Sequence, residues 1–107
     1  MNNKSIAKKY AKVLYNTANE TQDVKIVLKN IKYIVFAIRY IPELSYLLKT
    51  NKVSIENKVN ILENVLKNNI SKLEIELITN LLMENNILLL SEIATNYEYL
   101  LKNDSNV

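Results

Sequence analysis

Across 107 residues there is no glycine, and proline occurs once, at Pro42. Glycine is the residue that most readily takes the left-handed conformation closing a helix. A chain without it must end its helices on substitutes, of which asparagine is the best. The segment LLMENNILLL (81–90) poses the question: Glu84-Asn85-Asn86 either closes one helix before another begins, or is a polar patch in one long helix. Elsewhere apolar residues recur at three- and four-residue steps, and strand-like alternation never persists. The sequence therefore predicts an all-α fold, a compact six-helix bundle forming a single domain over 1–107.

The six helices are expected at about 4–20, 22–40, 42–49, 54–67, 71–85 and 91–102. Thr21 can cap the second and Ser54 the fourth, and Pro42 suits the first turn of the third, where a missing amide costs nothing. Ser71-Lys72-Leu73-Glu74 fits the S-x-x-E capping box at the start of the fifth. Asn85-Asn86 reads as its terminus, and the tail NDSNV as polar and frayed. The second helix, ending YIVFAIRY, is apolar nearly all round and is expected to be central and most buried. Tyr33, Phe36 and Tyr40 are read as core or boundary packing. In the sixth, Ile93, Ala94, Tyr97, Leu100 and Leu101 are expected to face inward.

Two helices carry more apolar surface than one core requires. On the first, apolar residues cover roughly 200° of the cylinder. Ala7, Ala11, Leu14 and Ala18 form a small-residue face, and Ile6, Tyr10, Val13 and Thr17 an adjoining one. On the fifth, Ile75, Ile78 and Leu82 form one face, expected to point at the core. Leu73, Leu77 and Leu81 form a second, roughly 100° around. Side by side, the spare faces would line a shallow groove suited to an amphipathic helix from a partner. The alternatives are burial of both faces inside the bundle, or a homodimer contact.

Composition narrows the functional classes. Cysteine and histidine are both absent, which removes disulfides, thiol nucleophiles, the usual zinc ligands and the usual general base at neutral pH. No acidic pair suggests a carboxylate active site. Neither a catalytic residue, a metal site nor a cofactor is expected, and the chain is read as non-enzymatic. The formal net charge is +3, carried by dispersed lysines with Arg39 the only arginine. This fits a compositional bias toward Lys, Asn and Ile better than a nucleic-acid surface, which favours clustered arginine. A small helical nucleic-acid-binding or regulatory protein is the alternative reading. No apolar run is long enough to span a bilayer, and no secretory signal opens the chain.

Three stretches together resemble a known family. AKKYAKVLYNTA, IPELSYLLKTNKVSIENKVNIL and ITNLLMENNILLLSEIATNYEYLL resemble, in order and spacing, the N-terminal domain of the F-type ATP synthase delta subunit. That family includes the oligomycin-sensitivity-conferring protein of mitochondria. Asn86 stands where the family usually has glycine, Ile87 where it often has arginine, and Ser91 where proline is common. The resemblance implies a six-helix bundle whose groove between helices one and five binds the N-terminal helix of an alpha subunit. It implies a peripheral-stalk (stator) subunit that links the catalytic head to the stalk and performs no chemistry. By position it carries the groove role to Tyr10, Val13 and Leu81. With their neighbours, the expected partner-binding set is Ile6, Tyr10, Val13, Leu14, Thr17, Leu77, Asn80, Leu81 and Glu84. Leu82 is expected in the core. The family's second, stalk-binding domain is expected to be missing from this chain. The expected molecule is a monomer in isolation, without membrane insertion or nucleic-acid partner. Its expected location is peripheral, on the cytoplasmic face of a bacterial inner membrane or the equivalent organelle side.

Overall fold

A computed structural model describes residues 2–21 and 23–105. Six α-helices follow one another: α1 Asn3–Thr21, α2 Val24–Tyr40, α3 Pro42–Lys49, α4 Ile55–Leu66, α5 Lys72–Met83 and α6 Leu90–Ser105. Two single 3-10 turns, Lys67–Asn69 and Ile87–Leu89, precede α5 and α6. The sequence pattern does not distinguish these turns from loop. Ile87 and Leu89 are buried, so the second turn drives apolar side chains into the core before α6 begins.

Local chemistry explains most of the helix limits. Ser54 caps α4 by accepting from the Asn57 amide at 3.1 Å. At α5 the capping box forms in both directions, with Glu74 accepting from the Ser71 amide at 2.7 Å. The cap of α2 is Asp23, which accepts from the Lys25 amide at 2.8 Å, and not Thr21. The Thr21 hydroxyl instead donates back to the Thr17 carbonyl inside α1. A carboxylate at the helix start is also favoured by the helix dipole. The expected start of α2 at 22 falls outside the described residues. The tail expectation is also revised: α6 runs on through 103–105, and the Asp104 carboxylate accepts from the Tyr15 hydroxyl. Asn106 and Val107, also in that tail, lie outside the described residues.

The terminus of α5 answers the question raised by LLMENNILLL. Asn85 has φ 57°, the left-handed conformation that asparagine tolerates better than most residues with a Cβ. Its amide donates to the Leu82 carbonyl at 3.2 Å, and the Asn86 amide donates to the Leu81 carbonyl at 2.7 Å. These two bonds define a Schellman closure built without glycine.

In the packing, α1 and α2 lie along α6, α3 joins α2 to α4, and α4 lies on α5. Tyr97 of α6 is fully buried at the centre. Its hydroxyl donates to the Val24 carbonyl at 2.7 Å, and its ring meets Tyr15 edge-to-face with centroids 5.4 Å apart. Lys32 of α2 pairs with Glu98 of α6 at 2.9 Å on the surface. Helix α2 is central, but it is not enclosed. Val27, Leu28, Ile31, Ile34 and Ala37 are buried, while Tyr33, Phe36 and Tyr40 are exposed. Phe36 and Tyr40, four residues apart, pack on each other outside the core with ring centroids 4.5 Å apart. In α6, Ile93, Ala94 and Tyr97 are buried as expected, whereas Leu100 and Leu101 are half-buried.

Candidate functional site

Helices α1 and α5 form the two walls of an open groove of about 570 Å³. On α1 its lining is Ile6, Lys9, Tyr10, Val13, Leu14 and Thr17; on α5 it is Leu73, Glu76, Leu77 and Asn80, with Glu84 capping the helix and Asn86 beyond it. The α1 wall from Ile6 to Thr17 extends about 16 Å, roughly three helical turns. Leu14 and Leu77 are buried and make the floor. Ile6, Tyr10, Thr17 and Leu73 are half-buried on its sides. Val13 is 66% exposed at the lip. Lys9, Glu76, Asn80 and Glu84 are exposed along the rim. An apolar floor with half-buried apolar flanks and a polar rim is the cross-section that an amphipathic helix fills.

The small-residue face of α1 does a different job. Ala7, Ala11 and Ala18 are fully buried and belong to the core, on the helix that lies along α6. Short side chains there let α1 approach its neighbour closely, which leaves the Ile6-Tyr10-Val13-Thr17 edge turned outward.

Eight of the nine residues expected at the groove line it, and Leu81 does not. Leu81 is fully buried, whereas Leu82 is half-buried and Ile75 likewise. Leu81, expected on the partner face, is therefore in the core, while Leu82 packs against the core only in part and does not line the groove. The cause is the rotation of α5 about its axis, which is set by Glu74. That carboxylate is fully buried and accepts from the Ser71 amide at 2.7 Å, the Ser71 hydroxyl at 2.6 Å and the Asn30 side-chain amide of α2 at 2.7 Å. With Glu74 turned inward, the buried stripe is Glu74, Leu77, Ile78 and Leu81, spaced for one helix face. Asn80 and Glu84 then fall on the groove side, and Leu81 lies about 100° away from Asn80. Lys9, Glu76 and Asn86 also line the groove and are not in the expected set, since neither apolar periodicity nor the family resemblance points to them. The approach of α1 to α5 that places them there leaves no signal in either helix.

A second groove of about 560 Å³ lies at the opposite ends of other elements, lined among others by Val35, Ile38, Arg39, Pro42, Tyr46 and Leu88. Its walls are the end of α2, the short α3 and the turn before α6, so it offers no pair of long walls to a helix. Among the described residues, no group of three or more His, Cys, Asp or Glu side chains could hold a metal ion. Nor is any described helix long and apolar enough to cross a membrane.

The sequence profile of the ATP synthase delta (OSCP) subunit family matches residues 6–107. The chain belongs to this family. A comparison with curated individual proteins gives no match. The family is one of peripheral-stalk subunits of F-type ATP synthase, with a structural role in the stator.

Proposed function

We propose that the α1–α5 groove receives the amphipathic N-terminal helix of an alpha subunit, so that this chain ties the catalytic head to the peripheral stalk. The observation that carries the reading is the unpartnered apolar groove between two long helices in a chain of the delta family. The chain acts as a non-catalytic connector. As an isolated domain it is a monomer, and its stalk contact is made through a further domain of the kind the family possesses. It works peripherally, on the cytoplasmic side of a bacterial membrane or the matching side of an organelle.

The energetics are adequate. Three or four anchors buried from the partner contribute roughly 1.5–3 kcal/mol each. At the upper end of that range the gain exceeds the lower estimates of the association cost by about what micromolar affinity requires. Attachment at two ends of a stator adds avidity. Calorimetric titration of the folded domain with a peptide of the cognate alpha-subunit N-terminus tests this directly. The expected result is 1:1 binding with a Kd of about 10 μM or tighter. No heat and no chemical-shift change at several times that concentration would remove the proposal.

A further inference from the structure

The charges on the groove's rim are separated by wall. On α1 the one charged lining residue is Lys9; on α5 and its C-cap the charged lining residues are Glu76 and Glu84. All three are exposed. No ion pair consumes them, since the pairs present among the described residues join Glu98 to Lys32 and Lys102. A helix lying in this groove presents one edge to α1 and the other to α5. We infer that the groove selects a partner helix with an acidic edge and a basic edge, and that this polarity fixes the direction in which the helix lies. The inference rests on the helix-in-groove reading above and adds to it a partner chemistry and an orientation.

The directional part follows from helix geometry. Turning a helix end for end, with its apolar stripe kept on the groove floor, exchanges its two edges. A partner with equivalent edges therefore gains no preference for either direction from the rim charges. A partner with one acidic and one basic edge pairs with both walls in one direction and meets like charge on both in the other. Apolar contact at Leu14, Leu77, Ile6 and Tyr10 supplies affinity, while rim charges supply discrimination between registers and directions. Solvent-exposed pairs of this kind shift affinity by about two- to fivefold each at low ionic strength, less as salt rises.

The test uses the domain and four synthetic helical peptides, each of roughly 16 residues with the same leucine stripe. Their edges are all glutamine, all glutamate, all lysine, or lysine on one edge and glutamate on the other. Fluorescence anisotropy at low salt should place the mixed-edge peptide tightest and the all-glutamate peptide weakest, about tenfold or more apart. The glutamine-edged peptide separates the two levels of the reading. If it fails to bind, the groove reading itself falls. If all four bind alike, the charge inference alone falls.

Direction is read separately. The chain has no cysteine, so Lys4→Cys and Glu20→Cys variants, at exposed positions toward the two ends of α1, each carry a single label. A nitroxide on the N-terminus of the mixed-edge peptide should broaden the resonances of one label and spare the other. In the K9E/E76K/E84K background the broadened end should switch. The same end broadened in both backgrounds, or both ends equally in either, overturns the inference. Exposed rim substitutions leave the fold intact, so unchanged circular dichroism accompanies every arm.

Discussion

Glu74 is a buried carboxylate with three hydrogen-bond donors directed at it, from the Ser71 amide and hydroxyl and from Asn30. A buried acceptor without such donors costs several kcal/mol, so the rotation that satisfies Glu74 also determines which leucines of α5 are inside. Leu81 and Val13 make the contrast measurable. Leu81→Ala should destabilise the domain by about 2–5 kcal/mol, because it empties a fully buried site. Leu81→Asp should prevent folding. Val13→Asp, at the exposed lip, should alter chemical-denaturation stability by about 0.5 kcal/mol or less while abolishing peptide binding. Tyr10→Asp, half-buried, should also abolish binding while keeping most helicity. Equal loss of fold in Val13→Asp would make the lip part of the core.

At the scale of elements, the chain closes its helices without glycine and does so unevenly. Asn85 makes a well-hydrogen-bonded left-handed closure. Lys67, at the end of α4, has φ 48° and ψ −123°, a region that a residue with a Cβ enters only under strain. Lys67→Gly should therefore stabilise the domain by about 1 kcal/mol, raising Tm by about 4–8 °C. A lowered Tm would mean that glycine's larger loss of backbone freedom outweighs the relieved strain. The same contrast shows what could be read in the sequence. Asparagine pairs, S-x-x-E and Pro42 each act through neighbours in the chain, so the six helices and most of their limits were legible. The inward turn of Glu74 depends on Asn30, 44 residues away, and the outward exposure of Phe36 and Tyr40 depends on which side of α2 its neighbours cover. Neither leaves a local signal, so periodicity alone puts Leu81 on the outer face of α5 and reads Tyr33, Phe36 and Tyr40 as core or boundary packing. The α1 half of the expected set does line the groove, on the edge opposite the buried alanines, whereas Leu81 of the α5 half does not.

For the whole molecule, Tyr97 and Tyr15 tie three helices and the end of the chain together through their hydroxyls. Burial pushes the Tyr97 phenol well above its ordinary value of 10.0, and the hydrogen bond to Asp104 raises that of Tyr15. A raised folded-state value means that the folded protein holds its proton more tightly than the unfolded chain. Their contribution to stability is therefore fully present below pH 10 and is lost as pH rises beyond it. Tm should stay flat from pH 8 to about 9.5 and fall from pH 10 upward. Tyr97→Phe should cost about 1 kcal/mol at neutral pH, through the lost bond to Val24, and flatten the alkaline decline. An unchanged slope in that variant would assign the decline to other groups.

On the proposed reading, the placement of the groove would also decide how force enters the molecule. Helix α1 is fastened mainly along α6 and α2, whereas α5 is fastened mainly to α4 and α2. A partner helix seated between α1 and α5 would therefore pull on two separately anchored members at once. Tension along such a helix enters the bundle as shear shared by both walls, and peeling either wall away would require tearing its own seam along its full length. If the groove holds a partner as proposed above, a joint of a few buried anchors would let go before either seam of the bundle.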